Sequence, residues 1–283
     1  MTHDEAFLRA IRDEPDDDAP RLIYADWLED HGEEARAEFI RAQCERVRPD
    51  ADPARAAELG PRAWRLLVEN WEAWVGPLRG LVGPDGARLG EQWLMGGPHA
   101  DGLSRFRRGF VESLTLRAEV LLAWGDDVYR QLPLRHLRLW GAGPHAEALA
   151  ASPCLGGLAT LAFCDYFVGP LTAEGARALA ASPHLGRLRE LRLGRNNVGD
   201  VGLRALAEAP WLDGLLLLDV TDNGITDRGA RALAASPHLG RLKSLSLEDN
   251  AITAEGEAAL RASPHLRRLT DLNLRGNPCT QAL

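Results

Sequence analysis

Four copies of one pattern, Leu-x-x-Leu-x-Leu/Val-x-x-Asn, stand in strict register in the C-terminal part of the chain. They open at Leu188, Leu215, Leu242 and Leu269, each 27 residues after the last. Their inner positions are Leu191, Leu193 and Asn196; Leu218, Val220 and Asn223; Leu245, Leu247 and Asn250; Leu272, Leu274 and Asn277. A fixed period of this length means one small unit stacked on copies of itself. The spacing puts the leucines on one face of a short strand and the intervening residues on the other. The Asn falls where the chain leaves the strand. Its amide donates and accepts, so stacked copies can satisfy backbone groups of neighbouring turns in a ladder of Asn196, Asn223, Asn250 and Asn277.

Each strand but the last is followed by a helix signal. In the segment from Thr226 to Leu239, Thr226 suits an N-cap, and Ala230, Leu233 and Ala234 make a narrow apolar face. Pro237 stops the helix and Gly240 lets the chain turn back. Upstream the pattern decays. Leu158, Leu161 and Phe163 begin a copy with a lengthened loop from Cys164 to Pro170, and Leu134, Leu137 and Leu139 begin another with Trp140-Gly-Ala-Gly143 where the Asn belongs. Val111, Leu114 and Leu116 make a first strand, followed by a helix around Ala118 to Arg130, for about seven strands in all. No helix signal follows the last strand, so its outer edge is expected to be open.

These motifs resemble the leucine-rich repeat, and a 27-residue unit with a full helix resembles its ribonuclease-inhibitor-like class. The resemblance implies an α/β solenoid, a horseshoe with a parallel sheet on the concave side and helices on the convex side. It also implies a protein partner.

Residues 1–75 lack the repeat and read as a small all-α domain. A first helix opens at Thr2 to Glu5 with Phe7, Ala10 and Ile11 inward. A second opens at Asp18 with Leu22, Ile23, Trp27 and Leu28 as its stripe, closed by Gly32. A third runs from Glu33 to Arg46 with Phe39, Ile40, Cys44 and Val47 on one face, and a fourth starts at Asp52-Pro53, breaks at Gly60-Pro61 and resumes through Trp64, Leu67, Val68, Trp71, Trp74 and Val75. The stretch from Asp17 to Gly32, with Arg36-Ala-Glu-Phe-Ile-Arg-Ala-Gln43, resembles the bacterial repeat-companion domain over residues 4–46. Arg107-Arg-Gly-Phe-Val-Glu-Ser-Leu114 is similar to the lead-in to the repeats in the same proteins. The Gly/Pro-rich residues 76–109 read as a connector, and the solenoid then occupies 110–283.

The net charge of −8 is unevenly placed: residues 1–75 carry 10 Arg against 19 Asp or Glu. This argues against nucleic acid as a partner of the helical domain. The acidic start lacks a signal peptide's apolar run, and no apolar stretch is long enough for a membrane span. Cys44, Cys154, Cys164 and Cys279 are scattered, as in reduced thiols of a cytoplasmic protein.

No cofactor, metal or catalytic constellation stands out, and the chain is expected not to be an enzyme. His184, His238 and His265 recur in Ser-Pro-His-Leu one repeat apart, whereas metal ligands must converge on a point. Asp219, Asp222, Glu248 and Asp249 have no nucleophile or His partner. The sharpest surface is the strand face. Its first half is basic, with Arg117, Arg135, Arg138, Arg189, Arg192 and Arg195, and its second half is acidic. Arg117, Arg138, Trp140, Tyr166, Phe167, Arg192, Arg195, Asp219, Asp222 and Glu248 are the candidate contact residues, since Trp and Arg serve most often as interface anchors. The leading expectation is a non-catalytic protein-protein interaction scaffold. The alternatives are a regulator or inhibitor of an enzyme of the nuclease or GTPase type and, third, a nucleic-acid-binding module, which the arginine half lacks the aromatic interleaving to support.

Overall fold

The computed structural model describes residues 3–74, 106–164 and 169–280. The chain divides into two compact units, Met1–Leu114 with Ala123–Arg135, and Thr115–Leu122 with His136–Leu283.

The first unit holds helices α1 (His3–Asp13), α2 (Ala19–Asp30), α3 (Glu34–Arg46) and α4 (Pro53–Trp74). Its core gathers Ile11, Tyr24, Ala25, Leu28, Ala37, Ile40, Cys44 and Phe110. Several sequence expectations are corrected here. Ala10 is exposed, and Val47 lies past the end of α3 and is also exposed. On α2 the inward stripe is Arg21, Tyr24, Ala25 and Leu28, while Ile23 is 58% exposed. The spacing i, i+3, i+4, i+7 is that of one helix face, but its first member is charged and an apolar count passes over it. Helix α4 runs unbroken through Pro61. Pro61 removes one backbone hydrogen bond, yet Leu59, Ala63, Leu67 and Trp71 at four-residue steps bury a continuous seam across it.

The expected first strand splits in two. Phe106–Arg107 (β1) and Phe110–Val111 (β2) form an antiparallel ribbon turning at Arg108 and Gly109, both with positive φ. The repeat strand proper is Ser113–Arg117 (β3). Gly109 could carry no side chain, because a Cβ there would fall 2.8 Å from the Ile40 Cα. Its N–H donates to the Gln43 Oε1 at 2.7 Å. Most of the expected connector, residues 76–105, lies outside the described residues. Its last residues and the lead-in segment complete the core of the helices.

A buried ionic cluster fixes the lead-in. Arg21, 0% exposed, donates from Nη2 to the Glu112 Oε1 at 2.7 Å and from Nη1 to the Asp17 carbonyl at 2.8 Å. Arg108 lies 3.9 Å from the same carboxylate and donates to the Pro15 carbonyl at 2.8 Å. Beside it Arg36 lies over the rings of Trp74, Phe106 and Phe110, and burial pushes its pKa down to about 10.

The repeats form a seven-stranded sheet in chain order, from β3 through β4 (His136–Trp140), β5 (Thr160–Phe163), β6 (Glu190–Arg192), β7 (Leu217–Asp219), β8 (Ser244–Ser246) and β9 (Asp271–Asn273). Helix α5 (Ala118–Gln131) follows β3, and α6 (Ala146–Ala150), α7 (Ala173–Ala180), α8 (Gly199–Ala207), α9 (Asp227–Ala235) and α10 (Ala254–Arg261) alternate with the later strands. Strands β4 to β9 pair in parallel, and Leu137, Leu161, Leu191, Leu218, Leu245 and Leu272 stand in register as one rung. The first five are buried. Each fully buried leucine contributes roughly 1.5–3 kcal/mol, so the rung alone outweighs any single polar contact in the array.

On the helix side each repeat is tied to the one before it by polar groups. Asp200 at the start of α8 accepts from the Thr226 N–H at 2.8 Å, the Thr226 hydroxyl at 2.7 Å and the Gly229 N–H at 3.0 Å. Asp227 repeats this with Thr253 and Gly256. Burial works against the charge on Asp227, but the bonds from Thr253 and Gly256 outweigh it and hold its pKa below the usual carboxylate value. At the other helix end, Ser182, Ser236 and Ser263 donate to the carbonyls of Ala150, Ala207 and Ala234 in the preceding helices. The serine of Ser-Pro-His-Leu therefore joins each of these repeats to the one before it.

After β9 the chain makes one 3-10 turn, Pro278–Thr280, instead of passing directly into irregular chain, and the Cys279 N–H donates to the Ile252 carbonyl at 3.0 Å. Leu269 and Leu272 stay partly exposed at this end.

Candidate functional site

The side chains that alternate with the leucines form rows across the sheet. In one row the register sets Arg138, Ala162, Arg192, Asp219, Ser246 and Asn273 side by side. Arg138 and Arg192 are exposed, Ala162 is buried, and the last three are half-buried. In the next row are Arg117, Trp140, Cys164, Gly194, Thr221, Glu248 and Arg275. Trp140 is 48% exposed. It does not fill the place of the missing Asn: the buried residue there is Ala142, and Gly141 takes the positive φ of the turn.

The acidic half is held by its own hydrogen bonds. The Asp219 Oδ1 accepts from the Thr221 N–H at 3.0 Å and hydroxyl at 2.7 Å, and Thr221 Oγ1 lies 3.0 Å from Ser246 Oγ. Asn273 donates to Ser246 Oγ at 3.3 Å and to Glu248 Oε2 at 2.9 Å. The basic half also carries ion pairs. Arg192 reaches Glu190 at 3.2 Å and Arg117 reaches Glu119 at 3.7 Å. Two arginines expected on this half serve elsewhere. Arg135 donates to Asp16 Oδ1 at 2.7 Å within the first unit, and Arg189 turns to the carbonyls of Leu188 and Gly214. Tyr166 and Phe167 lie outside the described residues.

Arg195 and Asp222 occupy the same place in successive repeats, the left-handed residue before the Asn, with φ of 60° and 51°. Asp249 and Gly276 follow in register, at 53° and 78°. The left-handed region is costly for a side chain such as arginine and tolerable for aspartate and glycine. Arg195→Gly is expected to raise stability by roughly 0.5–1 kcal/mol, and Asp222→Gly by less. Thermal melts that rank the two in the opposite order would contradict this assignment of strain.

Below the turns the four asparagines are buried. Asn196 accepts from the Leu171 N–H at 2.7 Å and donates to the Leu193 carbonyl at 3.0 Å. Asn223 accepts from Val198 and donates back to Leu193 of the preceding repeat at 2.8 Å. Asn250 accepts from the N–H groups of Asn223 and Ile225, both at 3.0 Å, and donates to the carbonyls of Val220, Leu247 and Glu248. Asn277 bonds Ile252 and Leu247 in the same way.

Among the described residues no group of His, Cys, Asp and Glu is placed to hold a metal ion, and no helix is long and apolar enough to cross a membrane. His238 contacts Asp213 at 3.0 Å, and His184 and His265 give their backbone N–H to the neighbouring serines. The carboxylates of the strand face meet hydroxyls and amides, with no imidazole or thiol beside them in these bonds.

A family model described as "Leucine Rich repeat" matches residues 188–207, 215–234 and 242–260. No curated protein matches the chain. Among solved structures the chain is similar to an internalin from Listeria monocytogenes at 20% identity and a TM-score of 0.31, over 52% of this chain and 43% of that one.

Proposed function

From the leucine-rich repeats that this chain carries, we propose a non-catalytic protein-protein interaction scaffold that binds its partner through the strand face of the solenoid. Leucine-rich repeats in general act in protein-protein interaction, and the carrying observation for the finer reading is the row of solvent-facing charges from Arg138 to Glu248 on a register-locked sheet. A rigid surface loses little conformational freedom on binding, and buried Arg or Trp anchors set the lifetime of a complex while rim charges tune its rate. The contact residues in this reading are Arg117, Arg138, Trp140, Arg192, Arg195, Asp219, Asp222 and Glu248. The 27-residue unit supports the ribonuclease-inhibitor-like class, and the helical unit is read as a repeat-companion domain. The four scattered cysteines, none in a disulfide among the described residues, support a reducing compartment such as the cytoplasm.

Affinity purification of the full chain from its native host supplies the partner. Against that partner, Arg138→Ala with Arg192→Ala is expected to weaken binding about tenfold or more and to reduce its salt dependence. Arg177→Ala, exposed on α7, is expected to leave binding within about twofold. Calorimetric titration decides: binding that survives the first pair and is lost with the second moves the site to the helix side.

A further inference from the structure

The order of charge along the strand face specifies more than a protein partner. We propose that this face takes an extended polypeptide segment whose charges come in two blocks, acidic residues over Arg138 and Arg192 and basic residues over Asp219 and Glu248. The proposal rests on the strand face being the docking surface.

Arg138 and Arg192 lie on β4 and β6 with the buried Ala162 between them on β5. Neighbouring strands are about 4.8 Å apart, so the two arginine positions are roughly 10 Å apart. The gap has a low floor, because Ala162 and, one row on, Cys164 and Gly194 are all small. Trp140, 48% exposed, stands on the Arg138 side of it. Two guanidinium groups flanking a shallow, ring-walled gap suit a carboxylate side chain, which each arginine can grip through two N–H groups. Among the described residues Arg192 pairs with the half-exposed Glu190 at 3.2 Å.

The acidic half is prepared for the opposite sign. Asp219 commits Oδ1 to Thr221, and Glu248 commits Oε2 to Asn273. Each carboxylate is oriented by these bonds, and its other oxygen forms no hydrogen bond among the described residues. The cost of ordering these side chains is met before a ligand arrives.

The spacing follows from the register. The centre of the arginine pair falls on β5, and the centre of Asp219 and Glu248 falls between β7 and β8. That is about 12 Å across the sheet, or three to four residues of extended chain at about 3.3 Å each. A uniform polyanion fits badly. A nucleic acid strand laid on the arginines would run on over Asp219, Asp222, Glu248 and Asp249, where repulsion opposes it.

The test uses the full-length chain and three fluorescent probes of similar length. They are a peptide of four acidic residues followed directly by four lysines, which sets the block centres four residues apart; an isomer of the same composition with alternating charges; and a single-stranded DNA oligonucleotide. Anisotropy titration is expected to show the block peptide binding at least tenfold more tightly than its alternating isomer. Arg138→Glu with Arg192→Glu is expected to abolish that preference. Arg192→Gln alone is expected to reduce block-peptide affinity at least threefold, with an unchanged melting curve. An equal response to the two isomers, whether both bind or neither does, overturns the proposal, as does tighter binding of the oligonucleotide. Loss of block-peptide binding in Arg204→Glu on α8, with retention in the double strand variant, overturns instead the strand-face reading beneath it.

Discussion

Glu112→Leu is expected to lower the stability of the helical unit by about 3–5 kcal/mol. The Glu112 side chain is 1% exposed and its partner Arg21 is 0% exposed. Arg108, 8% exposed, lies 3.9 Å from the same carboxylate. Removing the carboxylate leaves the Arg21 guanidinium without its carboxylate partner in a site with almost no water, while Arg108 keeps Asp18 at 3.3 Å. Coulomb attraction does not make the intact pair strongly stabilising, because desolvation offsets most of it. The penalty comes from the charge left behind. The pair replaced together, Arg21→Met with Glu112→Leu, is therefore expected to recover a large part of the loss. Urea titration followed by tryptophan fluorescence measures both variants. A Glu112→Leu midpoint equal to that of the unaltered chain would show that the cluster is hydrated and that its burial has been misjudged.

Asn250→Ala is expected to cost roughly 2–6 kcal/mol, since two buried N–H groups, of Asn223 and Ile225, lose their acceptor at about 1–3 kcal/mol each. Three carbonyls lose a donor as well. Asn223→Ala leaves only the Val198 N–H without its side-chain acceptor and is expected to cost on the order of 1–3 kcal/mol. The ranking is the sharper statement. Melting temperatures should fall by roughly 2–4 °C per kcal/mol in a chain of this size, so the two variants are separable by calorimetry. Equal melts for Asn223→Ala and Asn250→Ala would mean that the hydrogen-bond inventory of each asparagine does not set its energetic role.

The repeat architecture was legible because its determinants are local and periodic. Leu191, Leu218 and Leu245 recur at one spacing, each strand turns at an Asn, and Thr226 caps its helix where a threonine before an apolar period is expected. What escaped the sequence depends on contacts between distant segments. Arg21 sits on the inward face of α2 only because Glu112, 91 positions away, meets it there. Pro61 reads as a break, yet the seam of α4 carries the helix across it. Arg135 looks like a strand-face cation until Asp16, 119 positions earlier, takes its guanidinium. The aspartates at 200 and 227 and the serines of Ser-Pro-His-Leu carry no signal in the sequence, because their partners lie in the neighbouring repeat. A period search aimed at polar residues as well as leucines would have found Ser182, Ser236 and Ser263, though not what they bind. The strand-face charges were readable by position. Which of them are already engaged was not, since that depends on side chains such as Glu190 and Asn273 that approach from their own or adjacent strands.

The bonds that join repeats all reach one neighbour and no further: Asn250 to the turn at Val220, Asp227 to Thr253, Ser263 to Ala234. Such a joint is a standard coupling. A whole 27-residue block, copied in frame, would bring its own plug and meet an existing socket. Each duplication would lengthen the exposed platform by about 4.8 Å without disturbing what is already built. The platform can thus grow or shrink by whole strands under selection, and the amino acids between the leucines are left to change one at a time.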